Sequence, residues 1–230
     1  MKIENQKLID KRDSLIRLAE KVGVDAKTIP FMYPRGAFDK KLTYQVALEA
    51  FELDMSLKHY ERLNDICNIP FNRDNRSAAE YAIDLIYGWF IEDIIIEFLL
   101  QNGFDVIRTG IDREREFLSS GRIKSDLDIL ITHKTNLRYF DIYFDSGNYW
   151  DKTDKIDIRE SKWNTIIKED SSIICVSNAG FGIIDAGSEY TLGPNPLWGG
   201  KNCATVKGIK SQLTDVDKFI IELKKKIKRK

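Results

Sequence analysis

Apolar residues at Leu8, Ile9, Leu15, Ile16 and Leu18, with Gly23 just past the last of them, predict an amphipathic opening helix. The same periodicity predicts a second helix over Tyr44 to Leu53 and a third over Leu57 to Ile66, ended by the Pro70 region. Ser77 followed three residues later by Glu80 is a capping box, so a long helix is predicted from Ser77 to about Asn102-Gly103. Beyond that glycine the period shortens. FDVIRTG reads as a short strand, DREREFLSSGRIKS as a polar loop, and Asp126 to Thr132 as a second strand. A turn at Lys134-Thr135-Asn136 and a third strand from Arg138 to Phe144 complete a β-hairpin. SGNYWDKTDK reads as a flexible segment, followed by a helix around Ile158 to Lys168. SSIICVSNAG reads as a buried strand, and the Gly- and Pro-rich GSEYTLGPNPLWGGKN as a loop. A capped helix from Thr214 ends the chain in KKKIKRK. The expected fold is α/β, a mixed β-sheet flanked by helices with a helical N-terminal region. Within a single domain 1–230, that region is 1–76, the core 77–176, and a C-terminal loop and helix 177–230.

Composition narrows the class. A chain of 230 residues, 43% apolar and 31% charged, can bury a sizeable core and is ordinary for a soluble globular protein. Lys plus Arg equals Asp plus Glu at 36 each, so there is no global basic signature, and any positive potential must be local. Cys67, Cys175 and Cys203 lie far apart without CxxC spacing, which argues against structural zinc and a disulfide framework and for a reducing cytoplasm. No export signal or membrane span is visible.

Several acids sit where apolar residues belong. With Glu92 as angular origin at about 100° per residue, Ile95 and Leu99 fall on one side of it and Ile96 on the other, while Asp93 and Glu97 point toward the polar face. A carboxylate on a core face is costly unless paired, protonated or bound to metal, and pairing with a core Arg or Lys is the plain alternative. Gly88, one turn earlier, would let another backbone approach. Asp126 and Asp128 stand two apart at a strand head and so share a face, although acids at strand entries also form turns. Asp141 interrupts Tyr139 to Phe144, and the hairpin would bring it to the same end of the sheet as Asp128; Asp145 is a further candidate along that face. Clustered inward carboxylates suit magnesium, which stabilises phosphate charge and lowers the pKa of an attacking water in phosphodiester hydrolysis.

GWFIEDIIIEFLLQNGFDVIRTG, followed by SDLDILI and YFDIYF, resembles the αβββ core of the PD-(D/E)xK nucleases, the superfamily that includes most type II restriction endonucleases. The resemblance covers residues 80 to about 176. It implies a restriction-endonuclease-like core and Mg2+-dependent hydrolysis of double-stranded DNA at a specific sequence. It also implies metal ligation by Asp128 and Asp141, with Glu92 in the place of the family's helix glutamate; Asp126, sharing a face with Asp128, is a further candidate ligand from its spacing. The motif lysine would fall at position 143, where this chain has Tyr143. The run from Asp141 to Gly147 is similar to the acid-x-polar-Phe-x-Ser-Gly run of restriction enzymes related to the GATC-cutting group. Lys162, in Glu160-Ser161-Lys162, is another source of the missing cation.

DNA contacts are expected from several places. Arg113, Arg115, Arg122 and Lys124 form a basic loop that would hold phosphates or simply be solvated. Asn148, Tyr149, Trp150 and Lys152 follow the acid-bearing strand where related enzymes place recognition elements; the loop with Trp198 is a second candidate, and KKKIKRK a source of nonspecific affinity. Cutting both strands of a symmetric site implies a homodimer. Two other readings remain: a pol-β-like nucleotidyltransferase using Asp126, Asp128 and Asp141, and an inactive nuclease fold kept for binding DNA or a partner.

Overall fold

The computed structural model describes residues 2–25, 78–109 and 126–228. The helices expected over Tyr44 to Leu53 and Leu57 to Ile66, and the loop carrying Arg113, Arg115, Arg122 and Lys124, lie outside the described residues. The chain divides into two compact units, residues 1–98 with 112–122 and residues 99–111 with 123–230. Among the described residues no helix is long and apolar enough to cross a membrane.

In the first unit, helix α1 (Lys2–Val22) buries Leu15, Leu18, Ala19 and Val22 and ends at Gly23, whose φ of 69° is the left-handed stop that a glycine there predicts. Ile16 is 46% exposed, on the outer edge of that stripe. Helix α2 (Ala78–Gln101) begins one residue after Ser77. The two helices are joined by a 2.6 Å hydrogen bond between Ser14 Oγ and Tyr87 OH. Lys11 adds a 2.9 Å ion pair with Asp84 and lies 4.3 Å from the centre of the Tyr87 ring.

Helix α2 corrects one expectation. Buried residues from Tyr87 to Leu99 face every direction around it, and Asp93, at 3% exposure, is its buried carboxylate, whereas Glu92 and Glu97 are half-buried. A helix that is apolar all round has no single core face from which an angular argument can pick an inward acid. Gly88 likewise meets no described atom within 4 Å of a Cβ, so it serves no close backbone approach among the described residues.

The second unit is an α/β structure with a mixed five-stranded sheet flanked by helices. The sheet runs β1 (Asp105–Arg108), β2 (Ile129–His133), β3 (Asn136–Asp145), β5 (Ser172–Ser177) and β6 (Phe181–Asp185) in that order. Only the β3–β5 pair is parallel, and the crossover between them carries α3 (Tyr149–Thr153), β4 (Lys155–Arg159) and α4 (Glu160–Lys168). Strand β5, with all six residues buried, is the apolar run SIICVS, as a central strand covered on both faces should be. A second, three-stranded sheet has the order β4-β8-β7, with β7 Thr191–Asn195 and β8 Lys201–Lys207.

Between the sheets lies a core of Leu127, Trp150, Ile156, Ile158, Trp163 and Ile166 against Ile173, Cys175 and Ile184. The opposite face of the five-stranded sheet packs on α6 (Val216–Lys228), where Phe181 meets Phe219 at 5.3 Å between ring centres. Asp215 begins that helix by accepting the Lys218 amide at 2.8 Å. Between β8 and α6 lies the one-turn helix α5 (Ile209–Gln212).

Several elements differ from the sequence pattern. The residues expected to be a flexible segment form α3 and the start of β4; the expected helix around Ile158 begins only at Glu160; the expected loop contains β7; and β6 was not anticipated. Trp150, expected beside DNA, is 5% exposed and belongs to the core, because Asp145 accepts its amide at 2.7 Å and turns α3 inward. Lys226 and Ile227 of the basic tail are engaged, the first with Asp185 and the second in the core. Cys175 and Cys203 are buried free thiols, and burial holds the Cys175 thiol far above its usual pKa; Cys67 lies outside the described residues.

A candidate metal centre on the five-stranded sheet

Asp128 stands just before β2, not within it as the pattern suggests, yet its backbone is locked on both sides. Its amide donates to Phe140 O at 3.1 Å, its carbonyl accepts the Thr109 amide at 2.9 Å, and Thr109 Oγ1 donates to Leu127 O at 2.9 Å. The buried Leu127 side chain anchors the same segment in the core. This continues the β2–β3 register so that Asp128 falls opposite Asp141, and the Ile142 amide donates to Asp128 Oδ2 at 2.8 Å.

Asp141 is held more firmly still. It lies on β3, between β2 and β5 and opposite Ile173, and is 1% exposed. Helix α4 supplies a cation: Lys162 Nζ is 2.6 Å from Asp141 Oδ1 and 3.7 Å from Asp128 Oδ1, and it also donates to the Asp126 carbonyl. Its position follows from its neighbours, since Trp163 and Ile166 are fully buried and fix the helix, while Lys162 in the first turn lies over the acids. Among the residues named from sequence, the structure therefore brings Asp128, Asp141, Lys162 and the backbone of Asp126 together.

It does not bring the Asp126 carboxylate with them. That residue is exposed, and its carbonyl is the group that meets Lys162. Among the described residues no three acids, histidines or cysteines form a group able to hold a metal, so the triad of Asp126, Asp128 and Asp141 is not assembled. Glu92 belongs to the first unit. Asp145 is committed elsewhere, accepting the amides of Gly147 at 3.1 Å and Trp150 at 2.7 Å. Tyr149 donates its hydroxyl to Asp157 at 2.7 Å, Asn148 accepts from Asn178 at 3.1 Å, Lys152 is exposed, and Trp198 is half-buried.

Electrostatics set the protonation states. Burial foremost, and then the negative charge of Asp128, push the Asp141 carboxyl well above the usual carboxylate range despite Lys162. Tyr143, two residues along the same face of β3, is pushed up by burial and then by Asp141 and Asp128, more than Arg159 pulls it down. It keeps its proton at neutral pH and carries no charge, so the cation of this site is Lys162.

A divalent metal suits this donor set. Asp141 Oδ2 is buried and has no hydrogen-bond partner among the described residues, and an ionised oxygen left so is costly unless a cation or water meets it. Two carboxylates on adjoining elements provide hard oxygen ligands of the kind magnesium takes, with water and phosphate completing its shell. Sequence spacing suggested the two acids; nothing in it located the Asp126 carbonyl, which becomes visible only once α4 folds over β3.

No protein-family model matches the chain, and no curated protein matches it. Among solved structures the chain is similar to Hjc, a Holliday junction resolvase from the archaeal hyperthermophile Archaeoglobus fulgidus. The likeness has 10% sequence identity and a TM-score of 0.38, over 56% of this chain and 96% of that one.

Proposed function

We propose that the protein is a magnesium-dependent endonuclease that hydrolyses phosphodiester bonds in double-stranded DNA, and more narrowly a cytoplasmic type II restriction endonuclease working as a homodimer. The observation that supports this reading most is the meeting of Asp128, Asp141 and Lys162 from three separate stretches of the chain, with one Asp141 oxygen buried and without a hydrogen-bond partner among the described residues.

Asp128 and Asp141 would hold the ion, which when bound supplies Lewis-acid stabilisation of phosphate charge and a more acidic water. The remaining work falls to the chain. The Ile142 amide fixes Asp128 Oδ2, leaving Oδ1 directed at the shared site. Lys162 counters the charge of both acids, and an ammonium with three donors can also orient the attacking water or a phosphate oxygen. Protonated Tyr143 serves as a donor and not as a base.

The test is cleavage of mixed-sequence DNA with magnesium. Discrete fragments are expected from the wild type, with loss of cutting in Asp128→Ala and Asp141→Ala and none in Asp126→Ala. Normal cutting by both Asp128→Ala and Asp141→Ala would remove the site. Incorporation of labelled nucleotide in place of cleavage would restore the nucleotidyltransferase reading, which the exposed Asp126 side chain does not favour.

A further inference from the structure

The three-stranded sheet has two unlike faces. Ile156, Ile158, Ala204 and Val206 point into the core, so by strand alternation Lys155, Asp157 and Arg159 of β4 and Lys201, Thr205 and Lys207 of β8 share the other face. The Asp157 carboxylate at its centre is spent internally on Thr205 Oγ1 at 2.6 Å, Tyr149 OH at 2.7 Å and Lys155 Nζ at 3.2 Å. The other charged residues of the face are cationic, and Cys203, Thr205 and, from β7, Thr191, Gly193 and Asn195 complete it.

Folding does not explain that charge. Lys155 lies directly opposite Lys207, and like charges facing across a strand pair destabilise it. Elsewhere in this unit Lys162, Arg138, Lys210, Lys218 and Lys226 each reach a carboxylate. Arg159, Lys201 and Lys207 are exposed and make no ion pair with any described residue. In a chain whose charges sum to zero, an unpaired cationic face is a local signal.

The Arg159 end of the face runs directly into α4, the helix that carries Lys162. Arg159 stands three residues before Lys162, and its charge reaches the Tyr143 hydroxyl, which also feels Asp141 and Asp128. From Lys155 to Arg159 the strand covers ~13 Å, the axial length of about four phosphate steps on one DNA strand.

We propose that the outer face of the three-stranded sheet, through Arg159, Lys201 and Lys207, carries the phosphate backbone of duplex DNA alongside the Asp128–Asp141 site. The proposal rests on the nuclease reading and adds where the substrate lies. Because these cations project from strands and not toward base edges, the contact is independent of sequence and strongly dependent on salt.

The experiment measures fluorescence anisotropy of a labelled mixed-sequence duplex with the full chain in EDTA over a range of salt, beside cleavage with magnesium. Three chains are compared with wild type: Arg159→Gln/Lys201→Gln/Lys207→Gln; a control triple, Lys168→Gln/Lys218→Gln/Lys225→Gln, that removes equal charge elsewhere; and the charge-keeping Arg159→Lys/Lys201→Arg/Lys207→Arg. The first triple should flatten the slope of log affinity against log salt by about 3, while the other two keep the wild-type slope. Circular dichroism and unchanged melting of the first triple confirm its fold. Equal loss in the control triple, an unchanged slope in the first, or no binding by wild type would overturn the proposal. Wild-type cleavage with an unaffected first triple would sink this surface and leave the nuclease standing. Selective loss of binding without cleavage by wild type would do the reverse.

Discussion

Asp141 concentrates the conflict between stability and chemistry in one side chain. Its carboxyl is raised by burial and by Asp128 more than Lys162 lowers it. An acid whose folded pKa exceeds its unfolded value of about 3.9 makes the fold lose stability as pH rises between the two, because the unfolded chain releases its proton first. Metal-free protein is therefore expected to melt lower as pH rises through that window. Asp141→Asn should remove the loss and melt higher than wild type in EDTA at neutral pH, while cleavage falls by at least about a hundredfold. A lower melting point for the variant would mean that the ion pair with Lys162 outweighs the cost of burial. The neighbouring cation gives a second contrast. Lys162→Met should slow cleavage by about 10²–10³, the size of a lost transition-state charge contact. Tyr143→Phe, which removes only an uncharged hydroxyl, should stay within about tenfold, on the scale of ~1 kcal/mol. The reverse order in single-turnover rates would return the role of the motif lysine to position 143.

Helix α6 shows how an element is tied to the sheet. Burial acts to raise the Asp185 pKa, but Lys226, Ser172 and Arg138 together hold it below the usual value. Such a group stabilises the fold above its unfolded pKa, and the contribution is lost as pH falls through the lowered one. Lys226→Met should cost about 1 kcal/mol in urea unfolding at neutral pH and shrink that acid-side loss. The segment before α6 is pinned more tightly: a Cβ at Gly180 would lie 2.5 Å from Thr214 O, where Phe181 and Thr214 form a bridge. Gly180→Ala should therefore cost about 1–3 kcal/mol as the strap is forced off β6.

Elements were legible where one physical signal dominated. SIICVS could only be a covered strand, and the Gly23 stop was plain in the chain. Strand β4 was hidden although Ile156 and Ile158 alternate with Asp157 and Arg159, because the helical pattern of α4 begins at once behind it. Strand β7 was hidden by Gly193 and Pro194, residues that read as loop; a proline is tolerated there because β7 is an edge strand. The acid pair was visible because a hairpin is local. The contact of Lys162 with Asp141 depends on a parallel crossover, which sequence spacing does not encode.

At the scale of the whole molecule, on the proposed function the Asp128–Asp141 pair of a chain would attack one strand at a time. The strands of a symmetric DNA site are related by a two-fold axis, so cutting both in one encounter calls for two chains related in the same way. If the protein works as that homodimer, supercoiled plasmid at enzyme excess should pass to linear form with little nicked circle, and sedimentation should give twice the chain mass. Mixing wild type with Asp141→Asn separates this from a monomer acting twice. Mixed dimers hold one working site and should accumulate nicked circle, the more so as the variant is increased. A monomeric enzyme would only be diluted, with the ratio of nicked to linear product matching that of wild type at the same active concentration. That outcome would remove the homodimer while leaving the chemistry of Asp128, Asp141 and Lys162 untouched.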